Sequence, residues 1–229
     1  MRIDKFLSHM KITSRKDAKK FLKMTPLLVD GKRILDPSYD VNLDQESIFI
    51  NDEKVVYKKD IHLMIYKPVD YLSANHDTRH QCVVELLKEP YVSYDFKIAG
   101  RLDLDSEGLM ILTTDGHFQH EITHPKSHLP KTYEVRLDHP FNHEKELIKG
   151  VMIKDGKDNP YLAKALALKS DGFYVNIIID EGKFHQIKRM FEHVGYKVLN
   201  LKRTKIGNLT LGNLKPGAYI EIEKEDLYD

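Results

Sequence analysis

A carboxylate and a guanidinium occur two residues apart in a short segment that has a glycine at either end. Arg101 and Asp103 lie between Gly100 and Gly108, directly before the apolar residues 109–112. Glycine adopts backbone angles closed to other residues, so such a segment can bend tightly and let a ligand approach the main chain. The apolar residues that follow predict a buried strand that anchors the loop. The segment therefore predicts a loop that holds Asp103 as a catalytic carboxylate.

The residues around this loop form a longer pattern. In chain order they are Gly100-Arg101-Leu102-Asp103, Ser106, Gly108-Leu109, Leu112-Thr113 and Asp115-Gly116. This pattern resembles the signature of the pseudouridine synthases, specifically the RsuA-type branch, which isomerises uridine in ribosomal RNA. The resemblance implies that Asp103 is the covalent nucleophile, on the uracil ring or on the ribose, or the base that initiates elimination. Isomerisation involves no net electron transfer, so no cofactor is expected.

Two further motifs are similar to those of the same family. Residues 131–135, Lys-Thr-Tyr-Glu-Val, imply that Tyr133 stacks on the flipped base and helps to move the proton that leaves the ring carbon. Taken alone, a tyrosine on an alternating strand is more often a core or cross-strand residue. In the run from Glu181 to Phe191, the basic residue two places after the glutamine is Lys188. The resemblance implies that Lys188 pairs with Asp103 and keeps it ionised.

Other basic residues near these motifs are candidates for RNA contacts. The resemblance implies that Arg101 fills the space that the flipped base vacates, or holds a phosphate. Lys183 and Arg189 are either phosphate contacts or ordinary surface charges. Residues 199–217 also follow the closing pattern of the family, so the resemblance spans essentially the whole chain. One departure is Asp70, where the family commonly has glycine, and it leaves the shape of that loop open.

The charge of the chain is distributed unevenly. Residues 1–24 carry eight basic and two acidic side chains, although the whole chain has a net charge of only +1. Such asymmetry indicates a segment that binds a polyanion, and the segment resembles the alpha-L RNA-binding module of a small-subunit ribosomal protein. Lys16, Lys19, Lys20 and Lys23 recur three and four residues apart, so we expect them to share one face of a helix. Such a charged face is usually only solvated, but few acidic partners accompany this one. The expected RNA contacts in it are Arg15, Lys16, Lys19 and Lys20.

The hydrophobic pattern predicts two domains. The resemblance implies that residues 1–50 are the alpha-L RNA-binding domain and that residues 61–229 are the pseudouridine synthase catalytic domain, and the polar residues 51–60 are expected to be the linker between them. Strands outnumber helices and do not alternate with them regularly, which predicts an α+β fold with a mostly antiparallel mixed sheet. In the first domain we expect a helix from Ile3, a second helix opened by a capping box at Ser14–Asp17, and a hairpin around Asp30-Gly31. In the second we expect strands at 62–66, 109–112, 133–137 and 173–179 and helices at 118–122, 143–149 and 183–194.

Composition restricts the class of protein. The chain has 229 residues, 41% of them hydrophobic and 31% charged, and no apolar run approaches the length of a membrane helix. Its one cysteine, Cys82, is expected to pack as a small hydrophobic side chain. A single cysteine cannot form an internal disulfide, and this, together with the lack of a secretory signal, favours a cytoplasmic protein. The expected partner is ribosomal RNA, of the small subunit or its assembly intermediate, bound by a monomer.

Several alternatives compete with this hypothesis. The histidines at 117, 120, 124 and 128 have a spacing that could suit a metal site, but Pro125 interrupts it and no carboxylate triad or glutamate–histidine motif accompanies it, so no metal is expected. Asp103 and Asp105 could form a general acid–base pair, although nothing indicates that both face one substrate. The RNA could instead come from the large subunit. Finally, the chain could be a non-catalytic RNA-binding factor in ribosome assembly.

Overall fold

The computed structural model of this protein describes residues 1–43, 45–58 and 60–228. The chain divides into two compact units, Met1–Asp60 with Leu87–Phe96, and Ile61–Leu86 with Lys97–Asp229. The helices are α1 (Ile3–His9), α2 (Ala18–Met24), α3 (Gly116–Thr123), α4 (Glu144–Lys149) and α5 (Gln186–His193). The strands are β1 (Leu27–Val29), β2 (Lys32–Arg33), β3 (Ile48–Ile50), β4 (Glu53–Val55), β5 (His62–Lys67), β6 (Lys97–Ala99), β7 (Glu107–Thr113), β8 (Lys131–Leu137), β9 (Val151–Lys154), β10 (Pro160–Ala163), β11 (Ala167–Asp171), β12 (Tyr174–Ile179), β13 (Val198–Ile206), β14 (Leu209–Thr210) and β15 (Tyr219–Glu221).

The first unit packs α1 and α2 with a small four-stranded sheet in the order β2-β1-β3-β4. Its core includes the helix residues Phe6 and Leu22, both fully buried. The hairpin predicted between β1 and β2 is present, and Asp30 and Gly31 both have positive φ, as its tight turn requires. The predicted helices and hairpin of this unit are confirmed.

The second helix begins later than its sequence predicts. The Ser14 hydroxyl accepts a hydrogen bond from the Asp17 amide at 3.2 Å and donates one to the Asp17 carboxylate at 2.5 Å. These local side-chain bonds hold residues 15–17 in a turn, and the helix starts only at Ala18. Lys16 therefore lies before α2, and the expectation that it shares one helical face with the later lysines is wrong.

The expected linker is wrong in part. Residues 53–55 form β4, which pairs with β3 in a hairpin. Asn51 and Asp52 both take positive φ, which these two residue types tolerate, so a polar stretch closes a tight turn. Lys59, also in the expected linker, lies outside the described residues. Residues 87–96 join the first unit as well, where the Tyr94 and Tyr57 rings lie 6.5 Å apart.

The second unit is built on a nine-stranded mixed sheet. The main strand order is β11-β12-β8-β13-β7-β5-β15, with β14 on β13 and β6 on β7. Only the pair of β13 with β7 is parallel among the described pairings of this sheet, so the predicted α+β fold with a mostly antiparallel sheet is confirmed. The strands expected at 62–66, 109–112, 133–137 and 173–179, and the helices at 118–122 and 143–149, are present within one or two residues.

The last helix is shorter at its start than expected. The hydrophobic pattern predicts a helix from residue 183, but α5 begins at Gln186. His185 takes a positive φ of 51°, and the Lys183 amide donates a 3.1 Å hydrogen bond to the Gln186 side chain. Because the left-handed residue ends helical geometry on its N-terminal side, residues 183–185 form a loop instead.

Candidate active site

The loop between β6 and β7 is held in place through its own carbonyl groups. The Ser73 hydroxyl donates to the Leu102 carbonyl at 2.6 Å and accepts from the Leu102 amide at 3.0 Å. The fully buried Lys67 ammonium donates to the Ser106 carbonyl at 2.6 Å and to the Pro68 carbonyl at 2.8 Å. The backbone of Asp103, between these clamped positions, is thereby held with little freedom.

Asp70 contributes to the same support with its backbone. Its amide donates to the Leu104 carbonyl at 2.8 Å, and its φ of 65° lies in the left-handed region. Aspartate is one of the few residues besides glycine that visits this region readily. Asp70 therefore adopts a backbone conformation in which glycine is common, and the loop that the sequence left open is a turn supported by the Leu104 carbonyl.

Gly108 and Arg203 join the end of the loop to the sheet. They lie opposite each other in the parallel pairing of β7 with β13. A β-carbon on Gly108 would lie 2.2 Å from the Arg203 carbonyl oxygen, and Gly108 has a φ of 111°. Only glycine allows the two backbones to approach this closely.

The Arg203 side chain lies under the loop and is only 1% exposed. Its guanidinium donates to the Leu109 carbonyl and to the Gly100 carbonyl, both at 2.7 Å, and to the Tyr133 hydroxyl at 3.4 Å. One side chain thus connects the two ends of the loop with Tyr133.

Asp103 is brought together with Lys188, as the resemblance implies. The Lys188 ammonium lies 2.9 Å from Asp103 Oδ2 and 2.6 Å from Asp105 Oδ1. Burial lowers the pKa of Lys188, but the hydrogen bonds and charges of both carboxylates outweigh burial and raise it above its usual value. Burial alone would raise the pKa of Asp105, but the hydrogen bond and charge of Lys188 outweigh burial and lower this pKa below its usual value. The lysine is therefore a permanent cation beside Asp103.

The two carboxylates differ in their surroundings. Asp103 is 31% exposed and lines a pocket of about 430 Å³, whereas Asp105 is 73% exposed and outside the lining. His185 contacts Asp103 from the other side, with Nε2 3.4 Å from Oδ1. Asp103 is thus the one of the pair that a molecule in the pocket can reach, and this weakens the alternative of a two-aspartate acid–base site.

The pocket has the size of a small-molecule or nucleotide site. Tyr133, 6% exposed, lies in its wall. Arg101 and Lys183 also line it. The Lys183 ammonium lies 3.5 Å from the centre of the Tyr161 ring and 4.0 Å from a Glu181 carboxylate oxygen.

Arg189 lies elsewhere. Its guanidinium donates to the carbonyls of Lys154 and, at 2.8 Å, of Asp155, and it lies over the Phe184 ring. These contacts fasten α5 to the turn after β9, so the structure gives Arg189 a structural use that the sequence did not reveal. Its role as a phosphate contact stays a prediction.

The other expected RNA contacts belong to the first unit. Arg15 is half exposed and lies 3.6 Å from an Asp4 carboxylate oxygen. Lys16, Lys19 and Lys20 are exposed.

Three residues of the pocket were missed by the sequence reasoning. His185 belongs to the motif that carries Lys188, but nothing in its spacing indicated a contact with Asp103. Lys131 is two residues before Tyr133, and the alternation of a strand places both on one face, which was an available signal. Arg203 gave no signal, because its position depends on the crossover pairing of β13 with β7.

Two other expectations concern metals and membranes. Within the described residues, no group of three or more histidine, cysteine, aspartate or glutamate side chains is arranged to hold a metal ion. In the same part of the chain, no helix has the length and apolar character needed to cross a bilayer.

Comparison with known proteins identifies the family of this chain. A family model described as RNA pseudouridylate synthase matches residues 61–193, and a model of the S4 domain matches residues 1–47. An uncharacterized RNA pseudouridine synthase of Bacillus subtilis (strain 168) is 39% identical over 232 residues, which cover 100% of this chain and 97% of that protein.

Other relatives match over similar lengths. The ribosomal small subunit pseudouridine synthase A of Yersinia pestis is 34% identical over 99% of this chain and 97% of its own. A solved structure described as a pseudouridylate synthase has a TM-score of 0.66 and 31% identity, and covers 99% of this chain and 98% of its own. The family match includes the loop of Asp103, Tyr133 and Lys188. The chain therefore belongs to the RNA pseudouridylate synthase family, as an RsuA-type pseudouridine synthase with an N-terminal S4 domain.

Proposed function

We propose that this enzyme isomerises one uridine of small-subunit (16S-type) ribosomal RNA, with Asp103 as the nucleophile. The observation that carries the assignment of Asp103 is its position: its carboxylate lines the pocket while Lys188 lies 2.9 Å away. The choice of RNA is supported by the Yersinia pestis relative, whose name gives the small subunit.

The geometry suits a carboxylate that reacts while ionised. Lys188 faces one oxygen of Asp103 and His185 the other, so both oxygens are oriented without being removed from the pocket. Clamped carbonyls on both sides of Asp103 limit its movement. A nucleophile held in this way needs little reorganisation before it attacks.

The target uridine must leave its helical stack to reach this pocket. Tyr133 presents a buried ring in the pocket wall, and we assign to it the stacking of the flipped base and assistance in proton movement. Arg101, exposed and in the lining, holds a phosphate or fills the vacated stack. Lys183, in the same lining, is a further phosphate contact.

The S4 domain supplies docking charges for the RNA. Contacts to phosphates position an RNA without reading its sequence. We assign such contacts to exposed basic side chains of this domain, namely Arg15, Lys16, Lys19 and Lys20.

The proposal is tested with purified protein and RNA transcribed from small-subunit and large-subunit genes. Uridine labelled with tritium at C5 releases its label on isomerisation. We expect release from the small-subunit RNA, its loss in Asp103→Asn, and its retention in Asp105→Asn, which makes the same charge change in the same loop. Release from large-subunit RNA alone would overturn the choice of substrate. Activity in Asp103→Asn would overturn the role of Asp103.

RNA binding is measured on the same variants. We expect Asp103→Asn to bind RNA as the parent does, because it changes one pocket side chain. RNA binding by a parent that releases no label from either RNA would favour the alternative of a binding factor without activity on these RNAs.

A further inference from the structure

Lys131 is a buried amine in the wall of the pocket, and neither the nucleophile nor its ion pair uses it. It is 7% exposed, and its ammonium donates to the Leu129 carbonyl at 2.9 Å. In the described part of the chain, no carboxylate lies within ion-pair distance of it and no second hydrogen-bond partner is found. A buried ammonium with one acceptor and two spare donors is costly unless it serves something in the pocket.

The surroundings of Lys131 favour the neutral amine. In the sheet it is flanked by Ile179 of β12 and Ile206 of β13, both fully buried. Burial, then the charge of Arg203, lower its pKa to about 8, and Asp180 acts weakly in the opposite direction. The carboxylate of Asp180 lies 2.8 Å from the His128 ring nitrogen. Near neutral pH, a useful fraction of the Lys131 side chain is therefore a free base.

Lys131 is also placed beside the expected position of the base. Lys131 and Tyr133 are buried on the same face of β8, about 6–7 Å apart along the strand. Both line the pocket that Asp103 lines. A uracil ring stacked on Tyr133 would have Lys131 at its side, within the same cavity.

We propose that Lys131 is the base that removes the C5 proton of uracil in the final step, an inference that rests on the proposed function. In that step the bond from C1′ to N1 has broken and the bond from C1′ to C5 has formed. Asp103 has by then been released from the substrate, and the ring carries a double bond between C6 and N1. C5 then loses its proton to the neutral amine, its electron pair restores the double bond between C5 and C6, and the electrons of the C6–N1 double bond move to N1. The ammonium returns a proton to N1. The net change is one hydrogen moved from C5 to N1, and Lys131 is regenerated.

The test compares substrates that differ only at C5. We expect Lys131→Met to slow single-turnover isomerisation of uridine RNA by about 10²–10⁴-fold, the usual contribution of a general base. RNA with deuterium at C5 should then show a large primary isotope effect in Lys131→Met, and a smaller one in the parent. RNA with 5-fluorouridine has no C5 proton to lose. The Lys131→Met enzyme should therefore form the bond between C1′ and C5 of 5-fluorouridine at close to the parental rate.

Two further variants separate charge and the neighbouring ring from base function. Lys131→Arg keeps the positive charge but cannot give up a proton near neutral pH, so we expect it to behave as Lys131→Met does. Tyr133→Phe keeps the ring and the Lys131 amine but loses the assisting hydroxyl, so its C5 isotope effect should rise less than that of Lys131→Met. In the parent, the rate with uridine RNA should rise as pH increases through about 8. That rise should be absent in both Lys131 variants.

The outcomes are distinct from a failure of the proposed function. Equal losses of Lys131→Met on uridine and 5-fluorouridine RNA, or no increase in its isotope effect, would overturn the role of Lys131 and leave Asp103 untouched. An isotope effect that rises in Tyr133→Phe alone would assign the proton to the tyrosine. Inactivity of the parent on both ribosomal RNAs would instead remove the proposed function.

Discussion

Substitution of Gly108 by alanine is the most direct structural test of how the sheet holds the catalytic loop. The added β-carbon would lie 2.2 Å from the Arg203 carbonyl oxygen, 2.7 Å from its amide nitrogen and 2.9 Å from its carbonyl carbon. All three are backbone atoms in a paired strand, so no side-chain rotation can relieve the contact. Either β7 or β13 must move, and the Arg203 side chain moves with β13.

The magnitude follows from two costs. A non-glycine residue with positive φ costs about 1–2 kcal/mol, and forced overpacking costs about 1–3 kcal/mol. Gly108→Ala should therefore lower the free energy of unfolding by about 2–5 kcal/mol. The matched control is Gly172→Ala, in the same unit, where φ is 57° and no atom lies within 4 Å of the added carbon. It carries only the backbone cost of about 1–2 kcal/mol.

Urea unfolding followed by circular dichroism measures both variants. Without urea, where Gly108→Ala is still folded, we expect it to lose isomerisation activity. The reason is that a displaced Arg203 no longer holds the Gly100 carbonyl and the Tyr133 hydroxyl in place. Gly172→Ala should retain it. Equal losses of stability in the two variants, within about 0.5 kcal/mol, would refute the close approach of β7 and β13.

Three further predictions concern charge. Lys188→Met should lower single-turnover isomerisation by about 10²–10³-fold and Lys188→Arg much less, because arginine keeps a cation beside Asp103; equal losses would contradict the ion-pair role. Burial raises the pKa of Asp115, but hydrogen bonds from Lys224 and the His117 amide outweigh it and hold the pKa at about 2. The Asp115 carboxylate therefore stabilises α3 fully at pH values above its unfolded pKa of 3.8. Asp115→Ala should lower the free energy of unfolding by about 1 kcal/mol at neutral pH. Denaturation curves should show this difference between variant and parent disappearing as the pH falls towards 2. RNA binding should weaken, with a flatter dependence on salt, in a triple alanine variant of Lys16, Lys19 and Lys20, and an unchanged slope would contradict their docking role.

Local patterns made much of the fold predictable. The alternation of β8 is a period-two signal, and the structure buries Lys131, Tyr133, Val135 and Leu137 on one face. The segment around Asp103 was recognisable because glycines bound a charged loop before an apolar strand. Its pairing with Lys188, 85 residues away, came from resemblance, since nothing local specifies a contact over that distance.

The features that were missed depend on long-range packing or on unusual backbone angles. The polar residues 51 and 52 indicated a linker, but both adopt positive φ and form the turn of the hairpin between β3 and β4. Residues 87–96 join the first unit although the chain around them belongs to the second. The buried position of Arg203 follows from a parallel pairing of distant strands, which no local pattern encodes.

The central claim is that Asp103 of this enzyme converts one uridine of small-subunit ribosomal RNA. The most direct test is pseudouridine mapping of ribosomal RNA from cells that lack the protein, complemented with the parent or with Asp103→Asn. The account predicts that one small-subunit site disappears and returns only with the parent. Restoration of the site by Asp103→Asn, or no change at any small-subunit site, would contradict it.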